Sequence, residues 1–172
     1  MQSDSPISWI LSRRSIRKYQ NAEIPQNEIN ILLKSAMQAP SAVNKQPWHF
    51  IVVKDKAIFR EIAKIHRSAS FIDTASHAIL ICGDEQLEHD KGYSILDCSA
   101  ATQNILLAAN TLGIGACWIG IHPREKRKEA FHQLFGLPEH VQPISLVSLG
   151  YPAEEKEMVE RFNSERIHYN KW

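Results

Sequence analysis

YSILDCSAATQNILLAANTL, residues 93–112, is the longest helical stretch in the chain, and Gly113 stops it. Its apolar residues include Ile95, Leu96, Ala100, Ala101, Ile105, Leu106, Leu107, Ala108 and Ala109. Together they wrap most of the helix circumference. A helix apolar nearly all round calls for burial on all sides. In a chain of 172 residues, which holds one core and little more, that burial requires both a sheet and a second subunit.

The flanking segments supply the sheet. Before the helix, His77–Cys82 is a nearly continuous apolar run, which reads as a strand buried on both faces. After it, 115–121 reads as a strand, 124–135 as a helix and 141–149 as a further strand. Toward the N-terminus, Trp48–Val53 is a strand rich in β-branched and aromatic residues, and 56–66 is a helix with Ile58, Ile62 and Ile65 on one face. A helix over about 27–39 carries the stripe Ile29, Leu32, Leu33, Ala36 and Met37, and Pro40 ends it. A first helix, 6–13, has Ser5 as cap and Pro6 in its first turn. The tail from Arg161 to Trp172 reads as an extended arm. The order α, α, β, α, β, α, β, α, β, tail is that of an α+β protein with a central sheet. No repeat, linker or low-complexity segment divides it, so residues 1–172 are read as one domain.

Composition excludes several classes. A formal net charge of +1 points to neither nucleic acid nor an anionic membrane, so any anion site must be a local cluster. Cys82, Cys98 and Cys117 are widely spaced, form no CxxC pair and sit in apolar stretches. Buried free thiols in a reducing compartment are the expectation, without zinc or iron–sulfur. Neither a signal peptide nor a membrane span is visible, and a cytoplasmic location is the default.

Four constellations could carry chemistry. Arg13-Arg14-Ser15-x-Arg17-x-Tyr19 brings three guanidiniums and a hydroxyl to a helix exit, which suits a phosphate monoester. Taken alone it is more readily a solvated basic turn. Ala39 to Trp48 is a helix stop, a polar loop and a strand start; Asn44 and Gln46 offer amides matched to a heterocycle, or the loop is a plain connector. In LGIGACWIG (112–120) the glycines follow a helix and precede a strand, the reverse of the Rossmann order, so a dinucleotide fingerprint is rejected. Gly120 could admit a flat ligand close to the backbone. The tail offers Arg161 as a distant basic group. No P-loop, HExxH or nucleophile elbow is present, and the acidic segment 84–90 reads as a solvated loop rather than a metal site.

Taken in order, RRSIRKY (13–19), APSAVNKQPWHFIVV (39–53), LGIGACWIG (112–120), SLVSLGYP (145–152) and RIHYNKW (166–172) resemble the nitroreductase family of flavoproteins. The resemblance runs from about Ile10 to Trp172. It implies a three-layer α+β sandwich, with a mainly antiparallel sheet flanked by helices. It also implies an intertwined homodimer in which 93–112 forms the interface and the C-terminal arm is exchanged. Two FMN molecules would lie between the chains. Arg13, Ser15 and the adjacent Arg14 resemble the phosphate and ribityl ligands, and Arg17 the cation at the flavin N1/O2 edge. Pro40, Ser41, Ala42, Asn44 and Gln46 resemble the loop laid on the ring by the partner chain. Ile119 and Gly120, after Trp118, resemble the backbone near N5, and Arg161 the tail residue closing over the phosphate. The implied activity is ping-pong hydride transfer from NADH or NADPH through FMN to nitroaromatics, quinones or similar acceptors, with no protein nucleophile. Other flavin reactions of the family, a non-catalytic flavin-binding role and a phosphate-binding module without flavin are the alternatives. Only about ten residues separate the second strand from the long helix, where longer family members carry lid helices; an open, shallow pocket follows.

Overall fold

The computed structural model describes residues 6–172. The proposed cap Ser5 lies outside them. Helices α1 (Pro6–Ser12) and α2 (Gln26–Ala36) precede strand β1 (Trp48–Val53). Then come α3 (Lys56–Ile65), β2 (His77–Asp84), α4 (Tyr93–Thr111), β3 (Gly115–Gly120), α5 (Glu125–Phe135) and β4 (Val141–Gly150). The four strands form one sheet, in the order β1-β2-β4-β3, with every neighbouring pair antiparallel.

Strand alternation builds the three layers. On β2, Ile79 and Ile81 face one side and pack with Ile29, Leu32 and Ile105 of α2 and α4. Ala78, Leu80 and Cys82 face the other side and pack with Phe59, Ile62 and Phe131 of α3 and α5. A strand covered on both faces has no polar positions to spare, which is why 77–82 reads as an unbroken apolar run.

Local chemistry sets the helix ends. The Asp55 carboxylate accepts from Ala57 N at 2.7 Å and caps α3. At the end of α4, Gly113 takes φ 70°, and Ile114 N donates back to Ala109 O at 2.8 Å. The second helix stops at Ala36 rather than near Ala39, because the chain tightens into turns there: Gln38 N bonds Ser35 O and Ala39 N bonds Ala36 O. Short 3-10 segments at Ala42–Asn44, Arg67–Thr74 and Ser164–Arg166 have no apolar period that would announce them.

The long helix is covered on one face only. Cys98, Ala101, Ile105, Leu106 and Ala109 are buried, but Leu96 is 65% exposed. The expectation of all-round burial is therefore met by half within a single chain. The tail beyond Glu155 is exposed throughout, including Phe162, Tyr169 and Trp172, and does not pair with this sheet. All three cysteines are free and buried. Burial pushes the Cys82 thiol up to about 12 and raises Cys98 and Cys117 as well, so all three are protonated at neutral pH.

His77 begins β2 only 4% exposed, with Nδ1 2.8 Å from Ser76 Oγ. Burial lowers its pKa below the usual 6.5. The unfolded chain therefore takes up the proton first as pH falls, and stability drops from about pH 6.5 downward, by at most about 1.4 kcal/mol per pH unit. Urea denaturation at about pH 7.5 and 5.5 measures this. The drop is expected to shrink in His77→Gln, and an equal drop in that variant assigns it to other groups.

Candidate functional site

The basic segment is locked to the sheet before it offers any charge to solvent. Ile16 N donates to Ala116 O at 3.0 Å, and Ser15 pairs with Ala116 as a parallel bridge on the free edge of β3. Tyr19 turns into the core, where its hydroxyl donates to Ile16 O at 2.7 Å and lies 2.8 Å from Ser148 Oγ. Two glycines make room. A Cβ at Gly115 would come within 2.8 Å of Ile16, and one at Gly150 within 2.8 Å of the Tyr19 ring. Glu154 then clasps the backbone, its Oε1 accepting from Arg17 N at 2.6 Å and Lys18 N at 3.2 Å.

Three guanidiniums converge on the far side. Arg13, Arg14 and Arg161 line one groove of about 530 Å³, with Ile10, Leu11 and Phe162 among its walls. Burial lowers the Arg13 pKa, and repulsion from Arg161 and Arg14 adds to it. A bound anion relieves repulsion of that kind. Arg14 is largely spent on structure: Nε donates to Glu157 O at 2.9 Å, and Nη1 to Leu11 O at 2.9 Å and Arg13 O at 2.7 Å. Its Nη2 is buried without a partner among the described residues. A smaller cavity of about 160 Å³ lies beside this groove, where Arg13, Arg14 and Lys156 meet Leu106 and Asn110 of α4.

Further along, the segment changes character. Ser15 offers its carbonyl to Lys156 Nζ at 2.7 Å. Burial raises the Cys117 pKa, offset in part by Arg17, Ser15, Lys156 and Arg13, so this thiol has those groups around it. Arg17 is exposed, its guanidinium 5.8 Å from the centre of the Phe71 ring. On β3, Trp118 is exposed and Ile119 buried, and nothing lies within 4 Å of a Cβ built on Gly120. Gly120 O accepts from Arg127 Nη1 at 2.5 Å.

The polar loop is a preformed unit. Ser41 Oγ accepts from Gln46 N at 3.0 Å, and Asn44 Oδ1 from Gln46 Nε2 at 3.0 Å. Val43, Asn44 and Gln46 all take left-handed φ, at 50°, 56° and 51°. Ala42 N donates to Asp97 Oδ1 at 3.1 Å, which ties the loop to the second turn of α4.

These pieces do not all meet. Arg13, Arg14, Ser15, Arg17 and Arg161 gather with the start of β3 near the end of α4, where Asn110 Nδ2 also reaches Trp9 O at 2.9 Å. The loop from Pro40 to Gln46 attaches at Asp97, thirteen residues earlier on the same helix. At 1.5 Å per residue that is about 20 Å. One chain therefore holds the loop and the basic group at two separate points along one helix. Sequence reasoning missed Glu154, Lys156, Arg127 and Asp97. Asp97 alone left a signal, as the one charged residue between Tyr93 and Leu112.

Known proteins share this arrangement of elements. A family model described as the Nitroreductase family matches residues 10–69 and 66–151. The "Putative NADH dehydrogenase/NAD(P)H nitroreductase" of Methanothermobacter thermautotrophicus is 47% identical over 163 residues, which cover 95% of this chain and 85% of that protein. A solved structure of a protein of the same name from Parabacteroides distasonis superposes with a TM-score of 0.93 at 34% identity, covering 97% of this chain and 98% of the other. The "FMN-dependent Nitroreductase" of Clostridium difficile superposes with a TM-score of 0.89 at 29% identity, covering 96% and 99%.

Proposed function

The chain belongs to the nitroreductase family, and from that premise we propose that it is an NAD(P)H-dependent flavin oxidoreductase that binds FMN between two copies of itself. The observation that carries the reading is the groove where Arg13, Arg14 and Arg161 converge, with one guanidinium nitrogen buried and unpaired. A phosphate monoester fits this chemistry, because its charge relieves the repulsion that Arg161 and Arg14 exert on Arg13. The names of similar proteins point the same way, one as an NAD(P)H nitroreductase and one as FMN-dependent.

The residues divide the ligand between them. Arg13 and Arg161 hold the phosphate, and Ser15 the ribityl chain beside it. Arg17, exposed beside the Phe71 ring, supplies a cation for the pyrimidine edge of the flavin. Gly120 leaves open space for a flat system, and Arg127 fixes its peptide. The loop Pro40, Ser41, Ala42, Asn44 and Gln46 comes from the second copy, since in its own chain it lies at the other end of α4. The exposed Leu96, on an otherwise apolar helix, supports that interface. FMN held by these residues would supply the hydride chemistry, with NADH or NADPH as the donor and a small molecule as the acceptor in a separate encounter. The connection from Asp84 to Tyr93 is short, which suits an open face and planar acceptors such as quinones and nitroaromatics.

Anaerobic mixing of the FMN-loaded protein with NADH and NADPH tests the activity. Bleaching of the flavin absorbance by at least one of them, and its return on adding a quinone or nitroaromatic, is expected. No bleaching by either rejects the nicotinamide-dependent reading and leaves a flavin-binding protein with another electron donor.

A further inference from the structure

Asp97 is a lone carboxylate inside an apolar helix, 5% exposed. A charge so placed is costly unless its oxygens are bonded. Only half of it is: Oδ1 accepts from Ala42 N, while Oδ2 is buried with no partner among the described residues. If Asp97 served only to fill space in the fold, an apolar residue would do so at lower cost. Its bonded oxygen must therefore supply something that the bare fold does not need.

The loop it holds explains what. Every other hydrogen bond of residues 41–46 runs within the loop: Gln46 N to Ser41 Oγ, Gln46 Nε2 to Asn44 Oδ1, Asn44 N to Ser41 O and Lys45 N to Ala42 O. The bond from Ala42 N to Asp97 is the one that leaves it, among the described residues. Three non-glycine residues here adopt left-handed φ, one of them the β-branched Val43, and side chains rarely accept that conformation. Internal bonds shape the loop and buried Ala39, Pro47 and Trp48 hold its ends, but among the described residues Asp97 makes the one hydrogen bond from within residues 41–46 to another element. The helix beneath is rigid: Thr102 Oγ1, five residues on, lies 2.7 Å from Ser145 Oγ of β4 in the core.

We infer that Asp97 is a positioning residue for the cofactor: Oδ1 pins Ala42 and so presents the 41–46 loop to the flavin ring in the other copy's site. The inference rests on the FMN site proposed above, and the controls separate the two. FMN is titrated into apo-protein and followed by flavin fluorescence, with melting temperature measured in parallel. Asp97→Leu fills the volume without an acceptor, and Asp97→Asn keeps the acceptor without the charge. Asp97→Leu is expected to weaken FMN binding about tenfold while its melting temperature holds or rises. Asp97→Asn is expected to bind within about twofold of the wild type. The inference is overturned if Asp97→Leu binds normally, if Asp97→Asn loses as much, or if the loss follows a fall in melting temperature. Asn44→Ala is the control for the loop itself. If it also binds FMN normally, the loop does not touch the flavin, and the proposed site fails together with Asp97. If Asn44→Ala binds weakly and Asp97→Leu does not, Asp97 alone is wrong. Should Asp97→Leu not fold, amide exchange in wild-type apo-protein decides: a protected Ala42 N–H supports the anchor, and exchange at the rate of a free amide overturns it.

Discussion

Arg13→Ala is expected to bind FMN roughly 10- to 150-fold more weakly, the loss of about 1.5–3 kcal/mol that accompanies a hydrogen bond to a charged group. The same variant is expected to bind riboflavin as well as the wild type does, because riboflavin lacks the phosphate that Arg13 would pair. That contrast is what makes the test specific. Arg13 is half-buried and repelled by Arg161 and Arg14, so removing it takes strain out of the apo-protein. Melting temperature should hold or rise, and a general loss of structure cannot then imitate the result. Arg14 is a poorer probe, since its guanidinium bonds the carbonyls of Leu11, Arg13 and Glu157 and its loss would loosen the tail. Isothermal titration with the two flavins at low and high salt gives the answer. Equal losses for both would move Arg13 to the ring end of the ligand, and unchanged FMN affinity would remove it from the site.

The parts of this molecule that were legible in the sequence are those governed by neighbours along the chain. Apolar periods locate α1 to α5 and β1 to β4 within a few residues, because burial of one face or two is written directly in the spacing. The basic pair was legible for the same reason: Arg13 and Arg14 are adjacent in sequence, so their meeting in one groove needs no fold. Contacts made by distant residues were not. Lys156 reaches Ser15 across 141 residues, and Asp97 reaches Ala42 across 55. Nothing local marks Lys156 as different from any other surface lysine. The left-handed Val43 was illegible in a further sense, since local preference argues against it and only the closed loop imposes it. The resemblance of five motifs to a family assigns the loop to the partner chain, but the spacing of about 20 Å between the attachment points Asp97 and Asn110 comes from the helix itself.

That separation leads to the sharpest expected outcome. Arg13→Ala damages the basic half-site, and a second variant, Asn44→Ala, damages the loop half-site. Each alone forms homodimers in which every site carries one defect, and each binds FMN weakly. Co-expressed in equal amounts with different tags, they also form heterodimers. If a site takes its basic wall from one chain and its loop from the other, one site of each heterodimer receives both defects and the other receives none. With random pairing about half the dimers are mixed, so about a quarter of all sites are restored to wild-type affinity. Purification through both tags raises this to about half, one intact site per dimer. FMN titration then shows two classes of site in the double-tagged protein, one of them tight. If each chain instead builds its own site, every chain in the mixture still carries its own defect and no tight class appears at any ratio. The geometry of α4 favours the first result, because the loop attaches at Asp97 and the segment before the arginines at Asn110, thirteen residues apart on one helix. A chain cannot bring its own loop to its own arginines while Ala42 stays bonded to Asp97. The exposed side of the same helix, where Leu96 stands in solvent, is the face on which a second copy would have to dock to supply the loop.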